Sequence, residues 1–141
     1  MFNNTIEKML NVFIGADTAP TGTLKVALMN GYTFTETHSF WSDVSASETS
    51  GTGYTTGGQA VDNAAVTQSD ANDGAYLDHD DEVFSSVTVT TDGAIWYWDT
   101  GTPSTSVLLQ YKAFTSGSQT VNAGSITVTP PATGILLGAR A

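Results

Sequence analysis

The chain contains no cysteine. Disulfides, thiolate zinc sites and thiol nucleophiles are therefore excluded. If the protein works outside a cell, its robustness needs another source, and subunit assembly is the obvious one. Basic residues are scarce as well. Lys8, Lys25, Lys112 and Arg140 face 14 acids, for a net charge of -10. Nucleic-acid binding depends on Lys and Arg displacing counterions from phosphates, so direct contact with DNA or RNA is excluded. The plain reading of the acidity is solubility; a sharper one is a surface held away from nucleic acid or set against a basic partner. No run approaches the roughly 20 apolar residues that span a bilayer, so no membrane partner is expected. The start, MFNNTIEKML, lacks the basic opening and long apolar run of a signal peptide. Charged residues of both signs make up 13% of the 141 residues, about half the usual share.

Ser, Thr, Gly and Asn fill the gap, a mix that favours strands and turns. One helix is expected first. Ile6, Met9, Leu10 and Phe13 fall on one stripe. Asn4 caps its start, Glu7 stands three residues on, and Gly15 ends it. At about ten residues it is marginal alone and must dock on its own domain or on a neighbour.

After that the period changes to two. Leu24, Val26 and Leu28 alternate with Lys25, Ala27 and Met29. In EVFSSVTVT, Val83, Ser85, Val87 and Val89 alternate with Phe84, Ser86 and Thr88. Asp92-Gly93 follows as a hairpin signal, with AIWYWD as the expected partner strand: Trp96 and Trp98 on one face, Ile95 and Tyr97 on the other. SVLLQYKAF, SQTVN and SITVT continue the pattern, separated by Gly-containing turns. Roughly eight strands at spacings of about 8–14 residues predict an all-β fold, an antiparallel sandwich or jelly-roll-like barrel. The organisation expected is a helical arm over residues 1–15 and a single β-domain over 16–141.

The stretch SDVSASETSGTGYTTGGQAV packs Gly51, Gly53, Gly57 and Gly58 among hydroxyls. A Walker loop needs Gly-Lys-Ser/Thr, but Gln59 follows Gly58. A dinucleotide fingerprint needs a third Gly where Thr56 stands, and a helix after it. A tether has no use for the ring of Tyr54. The reading left is an ordered loop whose glycines permit positive φ and whose hydroxyls bond local backbone. No cofactor is expected.

The acidic run Asp78-His79-Asp80-Asp81-Glu82 lacks the alternate spacing of a calcium loop and reads as a solvated turn. Asp70, Asn72 and Asp73 read as turn residues too. His38, Ser39 and Asp43 are no triad signature, and His38-Ser39-Phe40-Trp41 reads as a loop with a buried aromatic. Trp96-Tyr97-Trp98 could stack a sugar or a base, but on a strand at least one ring faces the core. No metal site and no catalytic residue emerge.

The stretch TLKVALMNGYTFTETHSFWSDVSASETSGTGYTTGGQAV resembles a recurring pattern in small virion structural proteins of tailed bacteriophages. The resemblance continues through Asp78 to Thr90 and Gly93 to Gly101, and ends in the tail from Gly124 to Leu137. Phe84 stands where such chains often have a tryptophan. The resemblance implies a structural component of the particle with no catalytic residues to carry over. Acidity disfavours the DNA-filled interior, so the expectation is a decoration, or cement, protein on the outer surface of the capsid. Its partner would be the major capsid protein, and a homotrimer would suit a local symmetry axis. Phe2, Ile6, Met9, Leu10 and Phe13 are the candidate partner-binding residues. Two alternatives stay open: a tail or fibre component meeting the host surface, and a cell-wall hydrolase, which needs paired carboxylates in a cleft.

Overall fold

The structure is a computed structural model; it describes residues 2, 5, 7, 11, 12, 14–18, 20–69, 74–132 and 134–139. Among the described residues there are nine strands: β1 (Thr23–Met29), β2 (Gln59–Ala60), β3 (Ala65–Ser69), β4 (Gly74–Asp78), β5 (Glu82–Thr91), β6 (Gly93–Asp99), β7 (Val107–Ala113), β8 (Gln119–Val128) and β9 (Ile135–Ala139). A short helix, α1 (Trp41–Val44), runs into a 3-10 turn at Ser45–Ser47. The strands form three sheets, ordered β2-β1-β6-β7, β3-β4-β9 and β5-β8. Every pairing is antiparallel. The fold is all-β, as the alternation indicates.

The four-stranded sheet is covered on both faces. Val26, Leu28, Ala94 and Trp96 pack against Phe84, Val87 and Val89 of β5, Ile126 and Val128 of β8, and Ile135 of β9. Their chain neighbours Ala27, Met29, Ile95 and Tyr97 point the other way, into a second cluster with Leu108, Phe2, Tyr32, Trp41 and Val44. Successive residues on a strand point to opposite faces, so two cores make β1 and β6 buried almost throughout. Full burial of a large apolar side chain stabilises by about 1.5–3 kcal/mol. Both clusters therefore contribute, and neither is a minor satellite.

Three expectations need correcting. Asp92-Gly93 is not a hairpin. β5 pairs with β8, while β6 pairs with β1 and β7. A type I′ turn needs positive φ at both central residues, and neither Asp92 nor Gly93 has it. Instead the chain turns a corner between sheets. The buried Thr91 hydroxyl and the Asp92 N–H both donate to the Met29 carbonyl, at 2.8 and 2.9 Å.

Nor does β5 keep one phase. Val83 is 46% exposed while Phe84, Val87 and Val89 face the core. Ser86, at φ 55°, marks a register shift between Phe84 and Val87. A bulge of this kind moves all later side chains to the other face.

Finally, SQTVN and SITVT are one strand, β8, and not two. Its irregular point is Ala123 at φ 47°, whose N–H is taken by the Thr88 hydroxyl at 2.9 Å.

At the N-terminus, Thr5, Glu7, Asn11 and Val12 are helical. Gly15 ends this segment as expected. It sits at φ 72°, its N–H bonds the Val12 carbonyl, and the next N–H, from Ala16, bonds Asn11. That is a Schellman pair, which needs a left-handed residue at the position of Gly15.

Candidate functional site

The glycine-rich stretch is an ordered loop wedged between two sheets. The Thr49 N–H bonds the Leu28 carbonyl on β1 at 3.0 Å, and its hydroxyl bonds Thr90 on β5 at 2.5 Å. Thr52 bridges to Thr88 of β5, with the Thr88 N–H on the Thr52 carbonyl at 2.8 Å. The loop glycines do more than permit positive φ. A Cβ on Gly51 would overlap the Thr88 carbonyl oxygen, and one on Gly58 would overlap that of Val26. The loop backbone thus lies directly on the backbones of β5 and β1.

A carboxylate organises it from within. Glu48 Oε1 accepts the Tyr54 hydroxyl at 2.8 Å and the Gly57 N–H at 2.6 Å. Tyr54 in turn accepts the Leu28 N–H at 3.1 Å, and Tyr97 donates to the Gly57 carbonyl at 2.7 Å. Burial pushes the Glu48 carboxyl above its ordinary range; hydrogen bonds from Tyr54, Gly57 and Gly58 and the charge of Lys25 offset part of that. Burial and the adjacent Glu48 push the Tyr54 hydroxyl up strongly, so it acts as a fixed donor.

A second carboxylate, this one buried, closes the far end of the loop. Glu82 is 4% exposed. It accepts the Gln59 side-chain amide at 3.0 Å and the Asp62 N–H at 2.6 Å. His79 lies beside it, with Nδ1 3.8 Å from Glu82 Oε1. The Trp96 indole donates to His79 Nε2 at 2.7 Å. Nδ1 is then the protonated nitrogen, and it donates to the Asp80 carbonyl at 2.5 Å. The acidic run is thus not wholly a solvated turn. Asp78, Asp80 and Asp81 are exposed, but His79 and Glu82 point inward. Among the described residues, no three His, Cys, Asp or Glu come together as a metal site.

His38, Ser39 and Asp43 do not converge on chemistry. Asp43 Oδ2 takes the backbone N–H groups of Ser39 and Phe40, each at 2.9 Å. Those two bonds hold the Asp43 carboxyl below its usual range. His38 Nδ1 pairs with the Tyr32 hydroxyl at 2.9 Å. Trp41 is the buried aromatic of that loop, stacked on Tyr97 with centroids 4.3 Å apart and planes at 10°. Trp96 and Tyr97 are both buried, on opposite faces of β6. Trp98 is half-buried, and its indole donates to the Pro20 carbonyl at 3.1 Å. These three rings therefore form no stacking platform. Beside Trp98, Lys25 pairs with Asp99 at 2.7 Å.

Of the candidate partner-binding residues, Phe2 is fully buried in the chain's own second core cluster. Its ring meets Phe34 at 5.2 Å, and its N–H bonds the Leu109 carbonyl of β7. Thr5 adds a hydroxyl bond to Leu108. Phe2 thus anchors the N-terminal segment to its own body and is not a free grip for a neighbour. Ile6, Met9, Leu10 and Phe13 lie outside the described residues, as do Asp70, Asn72 and Asp73.

Sequence reasoning passed over Glu48 and the inward pairing of His79 and Glu82. For Glu82 a signal was there: it stands two residues before Phe84, in phase with the buried face of β5. The chain matches no protein-family model, no curated protein and no solved structure.

Proposed function

We propose that this chain is a non-enzymatic structural protein of a tailed-phage particle: a decoration protein, bound as a homotrimer to the outer surface of the major capsid protein shell. The observation that carries the reading is how the resembling motif uses its polar groups. Asp43 holds two backbone N–H groups, Glu48 holds Tyr54 and Gly57, and Glu82 holds Gln59 and Asp62. Tyr97 holds the Gly57 carbonyl. A catalyst needs such groups aimed at a shared reacting atom; here each is engaged in the framework. What the motif specifies is a stiff body, stapled by carboxylates in a chain with no cysteine.

The net charge of -10 supports the outer location. Packaged nucleic acid repels an acidic chain, whereas a basic patch on the shell exterior attracts it. Binding several shell subunits at once lets weak contacts sum, and each 1.4 kcal/mol gained is tenfold in the binding constant.

Adding purified protein to shells that lack it tests this directly. Saturable co-sedimentation, weakened by salt, is the expected result. Failure to bind intact shells at micromolar concentration, with binding to isolated tails instead, would contradict it.

A further inference from the structure

Histidine is the side chain whose charge changes between about pH 5 and 8. The chain has two, and they sit differently. His38 is half-buried and pairs with the Tyr32 hydroxyl. The His79 side chain is sealed from solvent.

Three elements close around the His79 ring. β6 supplies Trp96, whose indole N–H donates to Nε2, with the ring centroids 6.0 Å apart. The turn between β4 and β5 supplies the Asp80 carbonyl, which takes the Nδ1–H. β5 supplies Glu82, whose Oε1 lies 3.8 Å from Nδ1. The same oxygen accepts the Asp62 N–H at 2.6 Å, while Oε2 takes the Gln59 amide. One carboxylate oxygen thus links the ring to the far end of the glycine loop.

The other charges on these elements are acids. Asp78 Oδ1 accepts the His79 backbone N–H at 3.0 Å, and Asp80 Oδ2 accepts the Asn63 side-chain amide at 2.6 Å. Asp62 and Asp81 are exposed. From Gln59 to Glu82 the chain has no Lys or Arg. Lys25 of β1 stands opposite Tyr97 and so points to the other face of the sheet from Trp96.

A neutral ring satisfies this arrangement in full, with one donor and one acceptor. A protonated ring does not. Both of its nitrogens donate, so Nε2–H would face the Trp96 N–H with no acceptor between them. Glu82 is the carboxylate placed to take the charged ring. The indole therefore holds the neutral form, and the carboxylate draws the charged one.

We propose that His79 is a two-position proton switch. Neutral, it holds the Trp96 indole. Protonated from solvent, it releases Trp96 and swings onto Glu82 Oε1, which loosens its hold on the Asp62 N–H. Local charge changes of this kind act through an element with two packings; here that element is the turn from Asp78 to Glu82. Acid thus slackens the junction of the glycine loop with β5. The switch is a property of the chain alone and does not depend on what the chain binds.

Nuclear magnetic resonance of the nitrogen-15-labelled chain reads each part separately between about pH 8 and 5. The His79 ring nitrogens should titrate. At the same midpoint the Trp96 indole N–H should move upfield as its hydrogen bond is lost, and the Asp62 amide should follow. His79→Gln keeps an acceptor for Trp96 but takes no proton, so both signals should stay flat. His38→Gln should leave both steps as in wild type. Glu82→Gln removes the charge that draws the ring; it should move the Trp96 step to lower pH and detach Asp62 from it. The wild-type chain decides the matter even where a variant does not fold. A His79 ring that titrates with Trp96 unmoved, or that stays neutral to the acid end of the range, overturns the switch. So does a Trp96 step that persists in His79→Gln.

Discussion

Replacing Gly58 by alanine separates two reasons for a glycine. Gly58 is at φ 68°, and a Cβ there would overlap the Val26 carbonyl oxygen and crowd the Ala27 Cα at 2.7 Å. The left-handed conformation costs a non-glycine residue about 1–2 kcal/mol. Forcing the loop off β1 adds an overpacking cost of about 1–3 kcal/mol. Gly58→Ala should therefore destabilise by about 2–5 kcal/mol, or roughly 8–20 °C in Tm at about 4 °C per kcal/mol for a domain of this size. Gly101→Ala is the control. It has φ 82° with nothing within 4 Å of the added Cβ, so only the conformational cost applies, about 1–2 kcal/mol. Gly51→Ala is the converse, since its φ is not positive but its Cβ would overlap Thr88. Thermal unfolding by circular dichroism, with the three variants side by side, reads the difference. The wedge is refuted if Gly58→Ala and Gly51→Ala lose no more than Gly101→Ala.

The carboxylates give opposite pH signatures. Glu48 has a raised folded-state pKa, so its contribution is greatest in acid and is lost as pH rises from the ordinary glutamate value to the folded one. The Tm difference between Glu48→Gln and wild type should thus grow in favour of Gln across that window. Asp43 has a lowered pKa, so its contribution is present above the ordinary aspartate value and lost as pH falls through the folded one; Asp43→Asn should cost stability at neutral pH and nothing in strong acid. His79→Phe leaves the buried Trp96 indole N–H without its acceptor, for a loss of about 1–3 kcal/mol. A double-mutant cycle with Trp96→Phe should show clear non-additivity; simple addition would remove the pairing from the account. Phe2→Ala empties a fully buried site and should cost about 3–5 kcal/mol by denaturant unfolding, whereas a freely projecting residue would cost almost nothing.

The parts of the fold written in local pattern were legible. Alternation marked β1 and separated Trp96 from Tyr97, and Gly15 marked a helix end by needing a left-handed residue. What local pattern does not contain is pairing. Asp92-Gly93 has the composition of a hairpin, but Thr91 and Asp92 are captured by Met29, more than 60 positions earlier. The bulge at Ser86 is equally silent, because a serine fits either phase of a strand. The glycine loop was legible as ordered, yet its role as packing between β1 and β5 was not, since that depends on backbones brought together only by the fold. Glu48 and His79 stood in polar surroundings that disguised inward-facing side chains. The N-terminal stripe suggested a docking surface but could not say whose surface it met, and Phe2 meets its own.

One measurement bears most directly on the account: cryo-electron imaging of complete particles that carry this protein. Density for the β body is expected at regular positions on the outside of the head, repeated about local symmetry axes of the shell. Density confined to the tail or the head interior, or a chain bound singly with a substrate-sized ligand among Glu48, Tyr54 and Tyr97, would contradict it.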